Sequence, residues 1–251
     1  MNFLKQIQTI DISDLVHWYQ PICQIETGEI LGYEALVRNK SLNKLFPLDI
    51  FKQAEQEGCR TELDSYLLFQ AINSVSYNSN LFLNVFPSTL LEKWFLSWWD
   101  EHFVTPAPLV IEISESEPVN DWKALKSVIN KLRKRGVKIA VDDMGSGYSF
   151  FQHWVELNPD YIKLDCYYAA GLAENPLKQR IIEHLTKLFD GYSIIILEGI
   201  ETEEDLNTAK QLGISYAQGY LLGRPSPWKS LSVQNYNIGD YGENGCWGKN
   251  G

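Results

Sequence analysis

Val137-Lys138-Ile139-Ala140-Val141-Asp142-Asp143-Met144-Gly145-Ser146-Gly147 is an apolar run that ends in two adjacent carboxylates, followed by two glycines. Paired carboxylates at the end of a strand can sit on two neighbouring metal ions, or one can bridge both. The glycines then let the loop pass close to them. Standing alone, the same residues read as an Asx-rich turn. Five further apolar runs bear on the choice, ending at Glu34, Asn84, Glu112, Asp165 and Glu198. Runs of this length, separated by helical stretches, read as buried parallel strands. In a closed parallel barrel the C-terminal strand ends converge on one face, and such enzymes keep their chemistry there. Carboxylates gathered on one rim repel each other unless cations sit among them. Oxygen-rich ligands without clustered histidine favour Mg2+ or Mn2+ over zinc.

Lys163 lies inside Tyr161-Ile162-Lys163-Leu164-Asp165, and alternation puts it on the same face as Tyr161 and Asp165. A lysine within a central strand is costly unless paired. Two roles are open to it: positioning or activating an attacking water, or forming a structural salt bridge.

The 251 residues suit one α/β barrel, and 45% hydrophobic residues suffice for a large core. No apolar run approaches membrane-spanning length, and Met1–Asp11 lacks the layout of a signal peptide, so a cytoplasmic location is expected. The cysteines form no CxxC pair, which suggests neither zinc nor a disulfide framework; Cys23, Cys59 and Cys166 read as reduced, small hydrophobes. A net charge of −10 argues against a nucleic-acid polymer as partner. It leaves room for an anionic small ligand, because bound metal ions invert the local potential.

Along the chain, Trp18–Gln24 and Ile30–Val37 flank a turn and read as a hairpin. Helices are expected over Asp49–Glu57, over Glu62–Ser76 with Thr61 and Asp64 as a capping box, and over Ser88–Trp99. Two more are expected: Asp121–Arg135, capped by Asn120 with an apolar stripe of Leu125, Val128, Ile129 and Leu132, and Glu203–Leu212, capped by Thr202. A short strand over Ser215–Gln218 closes the barrel. Residues 1–228 are expected to form it, with 229–251 a polar, mobile tail.

These blocks together resemble the EAL domain, the cyclic di-GMP phosphodiesterase family. The naming motif stands as Glu34-Ala35-Leu36 before Val37-Arg38. The other blocks follow in order as Tyr19-Gln20-Pro21, Asn84-Val85, Glu112 to Glu115, Asp142 to Gly147, Ile162 to Asp165, Glu198 to Thr202, Gln218-Gly219-Tyr220 and Arg224-Pro225. The resemblance implies a modified (β/α)8 TIM-type barrel whose first strand is antiparallel. It implies two cations per site, Mg2+ or Mn2+. Glu34, Asn84, Glu112 and Asp142 would hold one, and Asp142, Asp143 and Glu198 the other. Lys163 would contact the nucleophilic water, with Glu198 or a metal-bound hydroxide as base. Gln20, Glu34, Leu36, Arg38, Gln218 and Pro225 would touch the ligand, and Glu115, Gly145 and Gly147 would support the loop.

The implied reaction converts cyclic di-GMP to linear 5′-pGpG. The alternative is a cyclic di-GMP receptor or protein-interaction module with little turnover; such modules usually lose metal ligands, and every ligand position is filled here. Met144 and Ser146 depart from the Phe and Thr usual in the family. A homodimer is a further expectation of the resemblance. Regulation is expected from a partner protein, from dimerisation or from expression.

Overall fold

A computed structural model describes residues 12–40, 47–75, 79–103, 108–114, 117–144 and 150–231, with backbone alone at 47, 48, 114, 143, 144 and 150. Eight strands close a barrel in sequence order: β1 (Leu15–Gln24), β2 (Ile30–Asn39), β3 (Asn80–Val85), β4 (Leu109–Ser114), β5 (Lys138–Met144), β6 (Tyr161–Leu164), β7 (Ile194–Leu197) and β8 (Tyr216–Ala217). β1 runs antiparallel to both its neighbours, β2 and β8, and every other pairing is parallel. The expected barrel with its reversed first strand is therefore the fold. Gly28 supplies the positive φ, +74°, in the turn between β1 and β2.

Around the barrel lie α1 (Pro47–Gln56), α2 (Arg60–Asn73), α3 (Pro87–Leu91), α4 (Phe95–His102), α5 (Trp122–Arg133), α6 (Phe150–Leu157), α7 (Cys166–Ala169), α8 (Pro176–Phe189), α9 (Glu203–Gln211) and α10 (Trp228–Leu231). Thr202 caps α9 by accepting from the Asp205 amide, as expected. Three expectations need correction. Asp121, not Asn120, caps α5, accepting from the Ala124 amide at 2.9 Å. Thr61 lies inside α2, whose N-cap, Cys59, makes no side-chain cap bond. Asp64 belongs to the buried face of α2 instead, where it accepts from the Phe86 amide at 3.0 Å. The helix expected over Ser88–Trp99 is two, because Glu92 turns extended (ψ 132°) between α3 and α4.

The strand alternation explains where the chemistry sits. Ile22, Phe82, Val110, Ala140, Tyr161 and Ile196 form a buried layer across the barrel interior. Two residues on from that layer come Asn84, Glu112, Asp142, Lys163 and Glu198. On the reversed β1, two residues back from Ile22 comes Gln20. The two-residue period of a strand thus lifts an apolar plug and a polar rim from the same strands. The opposite faces carry Leu81, Leu83, Ile111, Ile113, Ile139 and Val141 outward, against Leu125, Ile129 and Leu132 of α5 and the aromatic α4.

At the end of the described chain, Trp228 packs edge-on against Tyr19 (5.4 Å) and Tyr33 (5.2 Å), and Leu231 is buried. The expected tail begins inside this helix at 229. Its remainder, 232–251, lies outside the described residues.

Candidate active site

Lys163 is the centre of the rim. Its Nζ lies 2.8 Å from Glu198 Oε1, 2.9 Å from Glu112 Oε1, 3.1 Å from Asp142 Oδ1 and 3.3 Å from Glu34 Oε2. Four different strands bring these carboxylates to one ammonium that is 1% exposed. When all are ionised, four carboxylates against one ammonium leave an excess of three negative charges in a buried place. Oxygens of Glu34, Glu112 and Asp142 lie within 4.8 Å of one another, a spacing one cation can share.

The neighbours hold Glu34 with care. Asn84 donates to its Oε1 at 3.0 Å and Gln218 to its Oε2 at 2.7 Å. Gln218 also donates to Gln20 Oε1 at 3.2 Å, and Gln20 donates to the Gly223 carbonyl at 3.0 Å. Burial alone would raise Glu34, but the charge of Lys163 and the bonds from Gln218, Asn84 and Lys163 pull it below the usual carboxylate range. Glu112 has Lys163 but no amide donor. Burial drives it well above that range, Lys163 offsets this in part, and Glu34 and Asp142 add to it. Glu198 is pushed up to about 8, by burial first. Burial would lower Lys163, but the four carboxylates outweigh that and hold it firmly protonated.

This donor set fits a hard divalent cation. Glu112 is fully buried, and its Oε2 accepts no hydrogen bond. A buried carboxylate oxygen without a donor is costly unless a cation takes that place.

Leu36 and Arg38 sit further along β2 and, with Asn84, line a cavity of about 240 Å3 beside the rim; its walls include Phe51, Leu67, Leu68 and Phe86. Pro225 lies one residue before Ser226, whose backbone pairs with Tyr19 at the mouth. The Asp143 side chain, Glu115, Gly145, Ser146 and Gly147 lie outside the described residues; of Met144, the backbone pairs with Leu164.

Two readings of the sequence do not hold. Asp165 is not part of the rim, because β6 ends at Leu164 and Asp165 caps α7, accepting from the Tyr167 amide at 2.8 Å. Cys166, expected to be a buried hydrophobe, is exposed at the start of α7, while Cys23 and Cys59 are buried. Asp64, which lines the cavity, was missed. Its signal was present, since Asp64, Leu67, Leu68 and Ala71 share one helical face and a lone carboxylate on an apolar stripe calls for a partner.

Two glycines set the approach of the last rim residues. Gly199, directly after Glu198, has φ +74°, and a Cβ there would stand 2.3 Å from the Cys166 Cβ. Gly219, directly after Gln218, packs so closely that a Cβ would meet the Ile200 carbonyl at 2.1 Å.

The EAL domain family model matches residues 6–225. The probable cyclic di-GMP phosphodiesterase PdeA of Escherichia coli K12 is 30% identical over 238 residues, which is 89% of this chain and 32% of PdeA. The MucR phosphodiesterase, solved as a cyclic di-GMP complex, superposes with a TM-score of 0.76 at 26% identity, over 92% of this chain and all of that one. Klebsiella pneumoniae BlrP1, solved with manganese and cyclic di-GMP, superposes at 0.75 with 25% identity, over 87% of this chain and 58% of that one. The chain spans about a third to a half of the length of the curated relatives it matches.

Proposed function

The chain belongs to the EAL domain family, and on that premise we propose that it is a metal-dependent phosphodiesterase that hydrolyses cyclic di-GMP to linear 5′-pGpG. The observation that carries this reading is the buried cluster of Glu34, Glu112 and Asp142 around Lys163. Glu34, Asn84, Glu112 and Asp142 would hold one Mg2+ or Mn2+, and Asp142, Asp143 and Glu198 a second. Such a pair, when bound, lowers the pKa of a water and neutralises charge on the phosphodiester.

The chain's own groups have separate tasks. Lys163 stays an ammonium in this surrounding, so it cannot take a proton. It acts as a fixed hydrogen-bond donor and positive charge facing the attacking water. Among the described rim carboxylates Glu198 has the most exposure, at 17%, and it would receive the proton that the water loses. Gln218 and Gln20 keep Glu34 oriented, and a site held in place before the reaction needs little reorganisation during it. Leu36 and Arg38, at the apolar cavity, would receive a base of the dinucleotide, with Gln20, Gln218 and Pro225 at the mouth contacting the rest. The carboxylate rim repels a dianionic substrate until cations enter, which makes substrate affinity depend on metal.

The test is incubation with cyclic di-GMP and Mn2+ or Mg2+, followed by chromatography of the nucleotides. The expected product is 5′-pGpG, absent in excess chelator and in Glu112→Gln. Tight binding without linear product under Mn2+ would identify a receptor instead.

A further inference from the structure

In a chain of net charge −10, α5 and the turn after it carry six basic side chains, from Lys123 to Arg135. Two of them have structural work. Arg133 donates to the carbonyls of Leu157 (2.9 Å) and Asn158 (2.5 Å), and Arg135 grips Asp100 with bonds of 2.6 and 2.5 Å. Lys126 pairs with Glu156 at 2.8 Å. Among the described residues, Lys123, Lys131 and Lys134 make no ion pair.

Leu125, Ile129 and Leu132 turn inward, so the opposite face of α5 points to solvent. There Lys123, Lys126, Ser127, Asn130, Lys131 and Lys134, all exposed, line an open groove of about 610 Å3 with Trp122 and Glu156. Helix stability does not account for this row. Cations are favourable in the last turn of a helix, where Lys131 sits, but Lys123 stands in the first turn, where the helix dipole opposes it. Lys123 and Lys126, and again Lys131 and Lys134, are like charges three residues apart on one face, which repel. The row gains only on meeting negative charge.

We propose that this groove docks an acidic segment of another protein. A flat anionic bilayer does not follow a concave strip one helix wide, and a nucleic-acid polymer would meet the field of the whole acidic chain. A short peptide segment follows the strip and, confined to the lysine row, carries few charges into that field. Lys123 to Lys134 spans about 16 Å at the helical rise. Same-side residues of an extended strand recur about every 6.8 Å, so three alternate carboxylates match the row. Ser127 and Asn130, between the lysines, offer hydrogen-bond groups to the segment's backbone. The inner face of α5 packs on the strands that carry Glu112 and Asp142, so the occupant would lie one helix away from the rim.

Fluorescence anisotropy tests this with a labelled peptide of about eight residues bearing glutamate at alternate positions. Binding is expected at about 50 mM salt and should weaken as salt is raised to about 200 mM. The triple variant Lys123→Gln, Lys131→Gln, Lys134→Gln should bind at least about tenfold more weakly with an unchanged thermal midpoint. Lys187→Gln on α8, remote from the groove, should bind like wild type. Should the triple variant fold poorly, Lys131→Gln alone carries the test, with about threefold weaker binding expected. Equal affinity in the lysine variants overturns the proposal. So does absence of peptide binding at low salt, whether or not phosphatidylserine vesicles or single-stranded DNA bind in its place.

Discussion

Lys163 serves as the internal counter-ion of four carboxylates, so its removal separates folding from chemistry. Lys163→Met should lower the stability of chelator-treated protein by about 3–5 kcal/mol, because it leaves buried charges without a partner. Mn2+ should then raise the thermal midpoint more in the variant than in wild type, while turnover stays abolished. Differential scanning fluorimetry with and without chelator reads the first two effects, and a midpoint unmoved in chelator would refute them. Asp64 gives a second test. Burial pushes its carboxyl up from 3.8 to about 7. Between those values the folded state holds a proton that the unfolded state has lost, so stability falls as pH rises through the window. The full cost at pH 7 and above is roughly 4 kcal/mol. Asp64→Asn cannot ionise, so its thermal midpoint should decline less than that of wild type between pH 5 and 8. Parallel curves would remove Asp64 as the cause. Glu34, Asn84, Glu112, Asp142 and Glu198 were legible because each ends an apolar run, and Lys163 by alternation within one; Asp165 ends a run too, but it caps α7. The hydrogen bonds of Gln20 and Gln218 follow from the resemblance only as ligand contacts, since pairing across the β1–β8 seam depends on closure of the whole sheet.

At the scale of elements, the strand–loop–helix connections place the rim as much as the strands do. Gly199 lets the chain leave Glu198 with φ +74° while touching Cys166. Gly199→Ala should cost at least about 2 kcal/mol from the left-handed backbone and the contact together. It should lower kcat more than it raises KM, because Glu198 moves while the base cavity stays. Unchanged kinetics in a folded Gly199→Ala protein would show that this turn does not position Glu198. Strand order and direction were readable because apolar runs and turn residues agree. Helix boundaries were less so. The Thr61 and Asp64 spacing imitates a capping box, but the burial of Asp64 against the Phe86 amide is a tertiary contact that local spacing does not contain. The break at Glu92 likewise follows from how α3 packs Leu90 and α4 packs Phe95, Trp98 and Trp99 into one core, not from a proline or glycine.

At the scale of the molecule, α10 packs on the outer face of β1 and β2 through Trp228 against Tyr19 and Tyr33. Leu231→Ala should cost about 2–5 kcal/mol, and a chain ended at Pro227 should melt several degrees lower than one ended at Leu231. We expect the cut after Leu231 to leave the midpoint near that of the full chain; a large drop there would mean that 232–251 pack on the barrel. The seam between β1 and β8 has a consequence in time. β1 meets β8 through Cys23 with Ala217 and Gln24 with Tyr216, and Tyr19 meets Ser226. These partners are roughly 190 residues or more apart, so loop closure comes late and folding is slow. On the ribosome, β1 waits with an open edge until nearly the whole barrel has emerged, a period in which edge pairing with other chains competes. In the finished protein the same short seam is where the cylinder opens first. Amides of Tyr19 and Ser226 should therefore exchange with solvent deuterium before those of β3 and β4, and the reverse order would place the weak point elsewhere.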